Sequence, residues 1–263
     1  DVSDWPVNEN YVKQVSAVVD ETLPASRWLN AMAVFAGDEQ IMKVAALPFV
    51  LRIEQPEETE TMPAGLQNFD TTVSFSDAEL LKNQIEILGF EEWEKAGYDG
   101  KGLRIAILDV GFVGADKIPA FDHIRNENRL IASCDFTKRG NSPNVYYGNG
   151  HGTQVWSCIG GKVGSLQSGL ATGAEFLLAK TEKNSEKFSE ELYWLAAAEW
   201  ADKNGADIIN SSLGYTSKRY FNWQMDGKTA FVTRAANMAA AKGILVVNAA
   251  GNEGDDGWKK IGA

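Results

Sequence analysis

The sequence predicts an α/β protein with a doubly wound, mostly parallel sheet, preceded by a small α+β module of ferredoxin-like order. Three observations predict it. Short apolar runs at 103–108, 206–210 and 244–248 alternate with longer segments of helical period, the order that builds a parallel sheet with helices on both faces. Glycines punctuate those alternations, as at Gly205 and Gly243. An acidic stretch with two prolines, Gln55 through Gly65, separates the first fifty residues from the rest and reads as an exposed linker.

In the first module, residues 9–15 carry one apolar stripe and predict a helix. Residues 22–28 and 31–35 predict strands, 37–47 a turn and second helix, and 49–53 a last strand. Beyond the linker, 101–108 predicts a buried parallel strand with Asp109 at its carboxyl end, where open α/β sheets place functional groups. His151 lies in Gly148-Asn149-Gly150-His151-Gly152-Thr153, and residues 154–159 open a helix that would project it from an N-terminus. Ser189 with Glu190 and Glu191 predicts the capped start of another helix, which Gly205 ends. Residues 229–242 form an Ala-rich helix closed by Gly243, and 244–247 the next strand, followed by Ala250-Gly251-Asn252-Glu253-Gly254 on a turn. The division expected is 1–55 for the module, 56–80 for the linker and 81–263 for the main domain.

With 263 residues and 44% hydrophobic content, the chain can bury a sizeable core. A net charge of −11 disfavours nucleic acid and anionic membranes as partners. No apolar run reaches the length of a membrane span, and Asp1 begins without a basic n-region and apolar h-region, so any signal peptide is expected to have been removed or omitted. Cys134 and Cys158 could pair or stay free, and two cysteines alone do not make a metal site.

Singly, Asp109, His151 and Asn252 read as ordinary loop residues. In this order, each at a strand end or helix start, they make chemical sense together. A carboxylate orients an imidazole that takes a hydroxyl proton, and an amide donates to a developing oxyanion. The order and the local words around these residues resemble the subtilisin-like serine proteases. Gly97-Tyr98-Asp99-Gly100-Lys101-Gly102 resembles that family's entry to its first catalytic strand, and Gly169-Leu170-Ala171-Thr172-Gly173-Ala174-Glu175 one of its turns. Asn210-Ser211-Ser212-Leu213-Gly214 is similar to its substrate-pairing segment. The resemblance runs from about Gln84 onward and implies a subtilisin-type sheet, incomplete at its C-terminus. It implies that Asp109, His151 and Asn252 are catalytic, and that Ser212, Leu213 and Gly214 face Ala249, Ala250 and Gly251 across the pocket for the residue before the scissile bond. The first module resembles the inhibitory propeptide of secreted Bacteroidetes-type subtilases, bound in cis, with processing expected between Gln55 and Ser74.

Val110, Gln154 and Tyr215 depart from the family's usual residues without removing a catalytic group. The Gly-Thr-Ser segment that carries the nucleophile does not occur. The expectation is therefore a secreted endopeptidase whose serine lies on a missing or separate C-terminal segment, acting on peptide or protein substrates. The alternative is a non-catalytic pseudoprotease that holds an extended peptide by strand addition. A nucleotide-binding protein is disfavoured because 148–153 lacks the phosphate-loop pattern. Structural calcium is common in the family, but Asp99, Asp116 and Asp255 show no diagnostic spacing, and no cofactor is assigned. His123 is expected at the surface. The aromatics Trp194, Trp200, Tyr215, Tyr220, Phe221 and Trp223 are expected in core or loops rather than in a ligand platform.

Overall fold

The computed structural model describes residues 2–55, 77–183, 187–216, 219–252, 258 and 261–263. The expected linker and processing window lie almost wholly outside these residues. The elements, in chain order, are α1 (Glu9–Ser16), β1 (Glu21–Thr22), β2 (Val34–Phe35), α2 (Asp38–Ala45), α3 (Asp77–Glu86), α4 (Phe90–Lys95), β3 (Arg104–Asp109), α5 (Asp122–Asn126), β4 (Leu130–Asp135), α6 (His151–Gly160), β5 (Lys162–Val163), β6 (Leu166–Gln167), β7 (Glu175–Lys180), α7 (Phe188–Lys203), β8 (Ile208–Ser211), α8 (Phe231–Ala241) and β9 (Leu245–Asn248).

Five strands form the central sheet in the order β4-β7-β3-β8-β9, all parallel. The period of two along a strand sends alternate side chains to opposite faces, and both faces are covered. On β3, Ile105 and Ile107 join Phe112, Phe121, Ile124 and Trp156 in one core, while Ala106 and Leu108 pack with Trp194, Ala198 and Val232 in the other. Helix α6 closes the first face, and α7 and α8 close the second. Strand β9 has no outer neighbour among the described residues, and Leu245 and Val247 on it are 60% and 47% exposed.

The first module is simpler than its sequence pattern. The predicted strand 22–28 shrinks to β1, because Pro24 has no N–H to continue a ladder, and 26 to 31 close only an isolated bridge. Residues 49–53 form no strand: Phe49 stacks on Tyr11 at 4.0 Å between centroids, and Leu51 lies almost fully exposed, so no alternating face is buried. The observed order is helix, strand, strand, helix, which retains the inner part of the ferredoxin-like pattern and lacks its outer strands.

This module docks on the outer surface of α7 and α8. Glu199 of α7 accepts hydrogen bonds from Ser26 Oγ (2.5 Å), Arg27 N (3.2 Å) and Trp28 N (3.4 Å). Arg27 pairs with Asp202 at 2.7 Å, and Lys242 reaches Asp4 at 2.6 Å. Beneath these polar contacts Trp28 is buried in the core shared with α7.

Helix α7 begins earlier than expected. Lys187 occupies the N-cap and makes no side-chain capping bond, whereas Ser189 already lies inside the helix. Glu190 accepts the Lys183 backbone N–H at 2.7 Å. The first-turn acids Glu190 and Glu191 are buried: Glu191 is held by Arg219 at 2.9 Å, by the Val232 N–H at 3.1 Å and by the Tyr220 hydroxyl. Burial raises the Glu191 carboxyl pKa, and those three donors oppose the rise. Gly243 sits at φ +93° just past α8, which explains why glycine ends that helix.

Candidate active site

The carboxyl ends of β3, β8 and β9 share one edge of the sheet, and α6 opens beside them. Asp109 is the last residue of β3 and is wholly buried. A buried carboxylate needs donors. The Val110 N–H supplies one to Oδ1 at 2.7 Å, and His151 Nδ1 lies 2.9 Å from Oδ1 and 3.0 Å from Oδ2. His151, the first residue of α6, is 46% exposed at its side chain. One ring nitrogen is thus engaged from below while the ring still reaches the surface.

Glycine makes this approach possible. A Cβ on Gly152 would stand 2.6 Å from the Gly111 carbonyl oxygen and 2.9 Å from Asp109 Cβ. Gly111 has φ +149°, and a Cβ there would press on the carbonyls of Tyr147 and Asn149 at 2.8 Å. The Gly152 N–H donates to Gly111 O at 3.0 Å, and the His151 N–H donates to Asn149 Oδ1 at 2.8 Å, so the two segments are knit together.

The hydrogen bond to Asp109 raises the His151 pKa, partial burial opposes it, and the charges of Asp109 and then Glu182 add to the rise. A carboxylate-bound imidazole of this kind can accept a proton and be stabilised once it carries charge.

The two predicted walls follow neighbouring parallel strands. Ser212, Leu213 and Gly214 continue from β8, with Ser212 Oγ accepting from Asn210 Nδ2 at 3.1 Å and Leu213 leaning on the core. Ala249, Ala250 and Gly251 continue from β9, starting with an Ala249 N–H bond to Ser211 O at 3.0 Å. Asn252 is exposed beyond them on the same edge. Ser211 at this edge accepts from Trp194 Nε1 at 3.0 Å, whereas Ser168 lies at the far end of α6 and donates to Ser157 O at 2.7 Å.

Several groups escaped the sequence reading. Lys180, at the end of β7, is buried and donates to the Val110 carbonyl and to Glu182 O at 2.7 Å. Tyr215, a departure from the family pattern, is buried with its hydroxyl on Glu182 Oε1 at 2.7 Å. Their sequence signal was charge directly after an apolar strand, Lys180-Thr181-Glu182. His123 corrects an expectation: both ring nitrogens are buried without a hydrogen-bond partner among the described residues, and burial lowers its pKa. Trp194 and Tyr215 belong to the core, whereas Phe221 and Trp223 are exposed and stacked at 6.5 Å. Cys134 is buried and Cys158 exposed, and both are free thiols. No cluster of three His, Cys, Asp or Glu suited to a metal occurs among the described residues, which do not include Asp255. No helix among them is long and apolar enough to cross a membrane.

Residues 100–262 match the model of the subtilase family, peptidase S8, and residues 1–69 match the peptidase S8 propeptide domain of Bacteroidota. Subtilisin DY of Bacillus licheniformis is 30% identical over 178 residues, covering 66% of this chain and 56% of its own length. The minor extracellular protease Epr of Bacillus subtilis (strain 168) is 27% identical over 234 residues, 86% of this chain and 32% of that protein. The crystal structure of MycP1 from Mycobacterium smegmatis superposes with a TM-score of 0.47 at 21% identity, covering 77% of this chain and 51% of that one. The chain thus spans about half, or less, of the length of these relatives. With its parallel sheet, its Asp109–His151 contact and a family match over most of its length, the chain belongs to the subtilase family and carries a Bacteroidota-type S8 propeptide domain ahead of the protease domain.

Proposed function

We propose that this chain supplies the acid–base half of a secreted serine endopeptidase. His151 takes the proton of a serine hydroxyl and returns it to the leaving amine, and Asp109 holds the imidazole in the required tautomer. Asn252 donates to the oxyanion together with a backbone N–H, while 212–214 and 249–251 form the two walls that grip the substrate beside the scissile bond. The nucleophilic serine comes from a C-terminal segment outside these 263 residues. The single observation that supports this best is the wholly buried Asp109 held against a half-exposed His151 at 2.9 Å. Secretion agrees with the extracellular relative and with a propeptide domain.

The propeptide domain is taken as residues 1–55, joined by 56–80 to the protease domain from 81. Docked in cis through Glu199 and Trp28, it marks the form before processing.

Intact mass measurement of native material, with labelling by a fluorophosphonate probe, tests this reading. A labelled C-terminal segment, either continuous with or associated to this chain, is the expected result. His151→Ala should slow labelling by on the order of 10² to 10⁴-fold. Native material that takes up no label would overturn hydrolysis and leave peptide binding along 212–214.

A further inference from the structure

Two polar bridges cross the sheet edge behind the Asp109–His151 pair, and neither is needed to build the pair itself. Strands β7 and β8 flank β3, so the segments leaving them pass on either side of Asp109. Lys180 is the register partner of Asp109, and its buried ammonium joins the carbonyl of Val110, the residue after Asp109, to the carbonyl of Glu182. From the other side Tyr215, the residue after the 212–214 wall, gives its buried hydroxyl to Glu182 Oε1 at 2.7 Å. Glu182 is therefore held by both neighbouring loops across the end of the catalytic strand.

We propose that Lys180, Glu182 and Tyr215 form a positioning unit that ties the substrate wall to the Asp109–His151 pair, with Glu182 placing a second negative charge to stabilise the imidazolium formed during catalysis. This rests on the reading of His151 as the proton carrier.

Two features favour a charge effect over mere packing. Burial lowers the Lys180 pKa, the charges of Asp135, Glu182, Glu190 and Asp109 oppose that fall, and the Tyr147 ring lies 5.6 Å away, so the ammonium sits where acids offset part of its desolvation. Burial, and after it the charges of Glu182 and Glu191, drive the Tyr215 pKa well up, so its hydroxyl stays a neutral donor to Glu182. The charges acting on His151 are Asp109 from β3 and Glu182 from the segment after β7, and both favour the protonated ring.

These 263 residues contain two histidines, and single replacements in the full-length protein pick out the ring signal of each. Histidine ring resonances followed by NMR against pH give one midpoint for His151 and one for His123, with His151→Ala assigning them. Glu182→Gln should lower the His151 midpoint by about half a pH unit and leave His123 in place. Glu182→Asp, which keeps the charge, should stay close to the wild-type value. Should Glu182→Gln also displace His123, showing a disturbed fold, Glu182→Ala is the second neutral variant to read. An unmoved His151 midpoint in a neutral variant with His123 in place, or an equal fall in Glu182→Asp, overturns the inference. Asp109→Asn separates the two readings: if it leaves His151 unmoved, the Asp109–His151 reading fails, whereas a fall there with no response to Glu182→Gln removes only this inference.

Discussion

At the scale of single residues, the site depends on how closely backbone can pass backbone. Gly152 is the clearest case, because the space for its Cβ is already held by a carbonyl oxygen and by Asp109 itself. Gly152→Ala should therefore lower stability by about 3 kcal/mol, read from chemical denaturation, and displace the His151 ring from Asp109. Wild-type stability in that variant would show that the α6 start can shift without strain. The raised His151 pKa sets the direction of pH dependence. Below the ordinary imidazole range the ring is charged in both folded and unfolded chains, and the Asp109 contact contributes its full stabilisation. That contribution fades as pH rises through the elevated folded value, while competence as a base appears over the same interval. His123 runs the other way: burial holds it neutral, so stability is lost as pH falls below the ordinary imidazole value. Asp109 and His151 were legible in the sequence because glycine-rich words and a strand end surround them. The contact between Glu182 and Tyr215 was not, since nothing local says that residues 33 positions apart meet over the end of a third strand.

Among the elements, α7 carries the most varied load. Its first turn is inserted beneath the cleft, its middle delivers Trp194 to Ser211, and its last turns present Glu199 and Asp202 outward. The pair of Glu191 and Arg219 has side chains 0% and 6% exposed, so removing one partner leaves the other charged and enclosed. Glu191→Ala should accordingly destabilise by about 3–5 kcal/mol in a denaturant titration, well beyond a surface ion pair. A change under 1 kcal/mol would mean that Arg219 finds water instead. The sequence shows α7, the acids of its first turn and its end at Gly205, but not that those acids are buried. Periodicity finds a helix, yet a helix buried nearly all round gives no polar face from which to tell a sunken acid from an exposed one. Strand β4 was missed for a related reason: Leu130 to Asp135 mix polar and apolar residues because the strand lies at the rim of the sheet.

For the molecule as a whole, the alternating pattern of strands and helices specified the sheet, because each buried strand must be apolar on both faces. The module was harder to read, since Trp28 is buried in a core that it shares with α7 and α8 of the main domain. One carboxylate organises that contact. Glu199→Ala removes the acceptor for one hydroxyl and two backbone N–H groups, and should weaken docking by about 2 kcal/mol. Hydrogen exchange at Arg27 and Trp28 should then accelerate by roughly thirtyfold, the same energy expressed as an opening equilibrium. Unchanged protection there would place the docking energy in Trp28 and in the Arg27–Asp202 and Lys242–Asp4 pairs instead.

Strand β9 has a practical consequence. Its four residues present about 13 Å of backbone whose outward N–H and C=O groups have no ladder among the described residues, flanked by bare Leu245 and Val247. Such an edge is a template for any extended chain, including another copy of itself. For these 263 residues taken alone, an uncovered β9 should make association rise with concentration, a second-order process that light scattering over a dilution series would read.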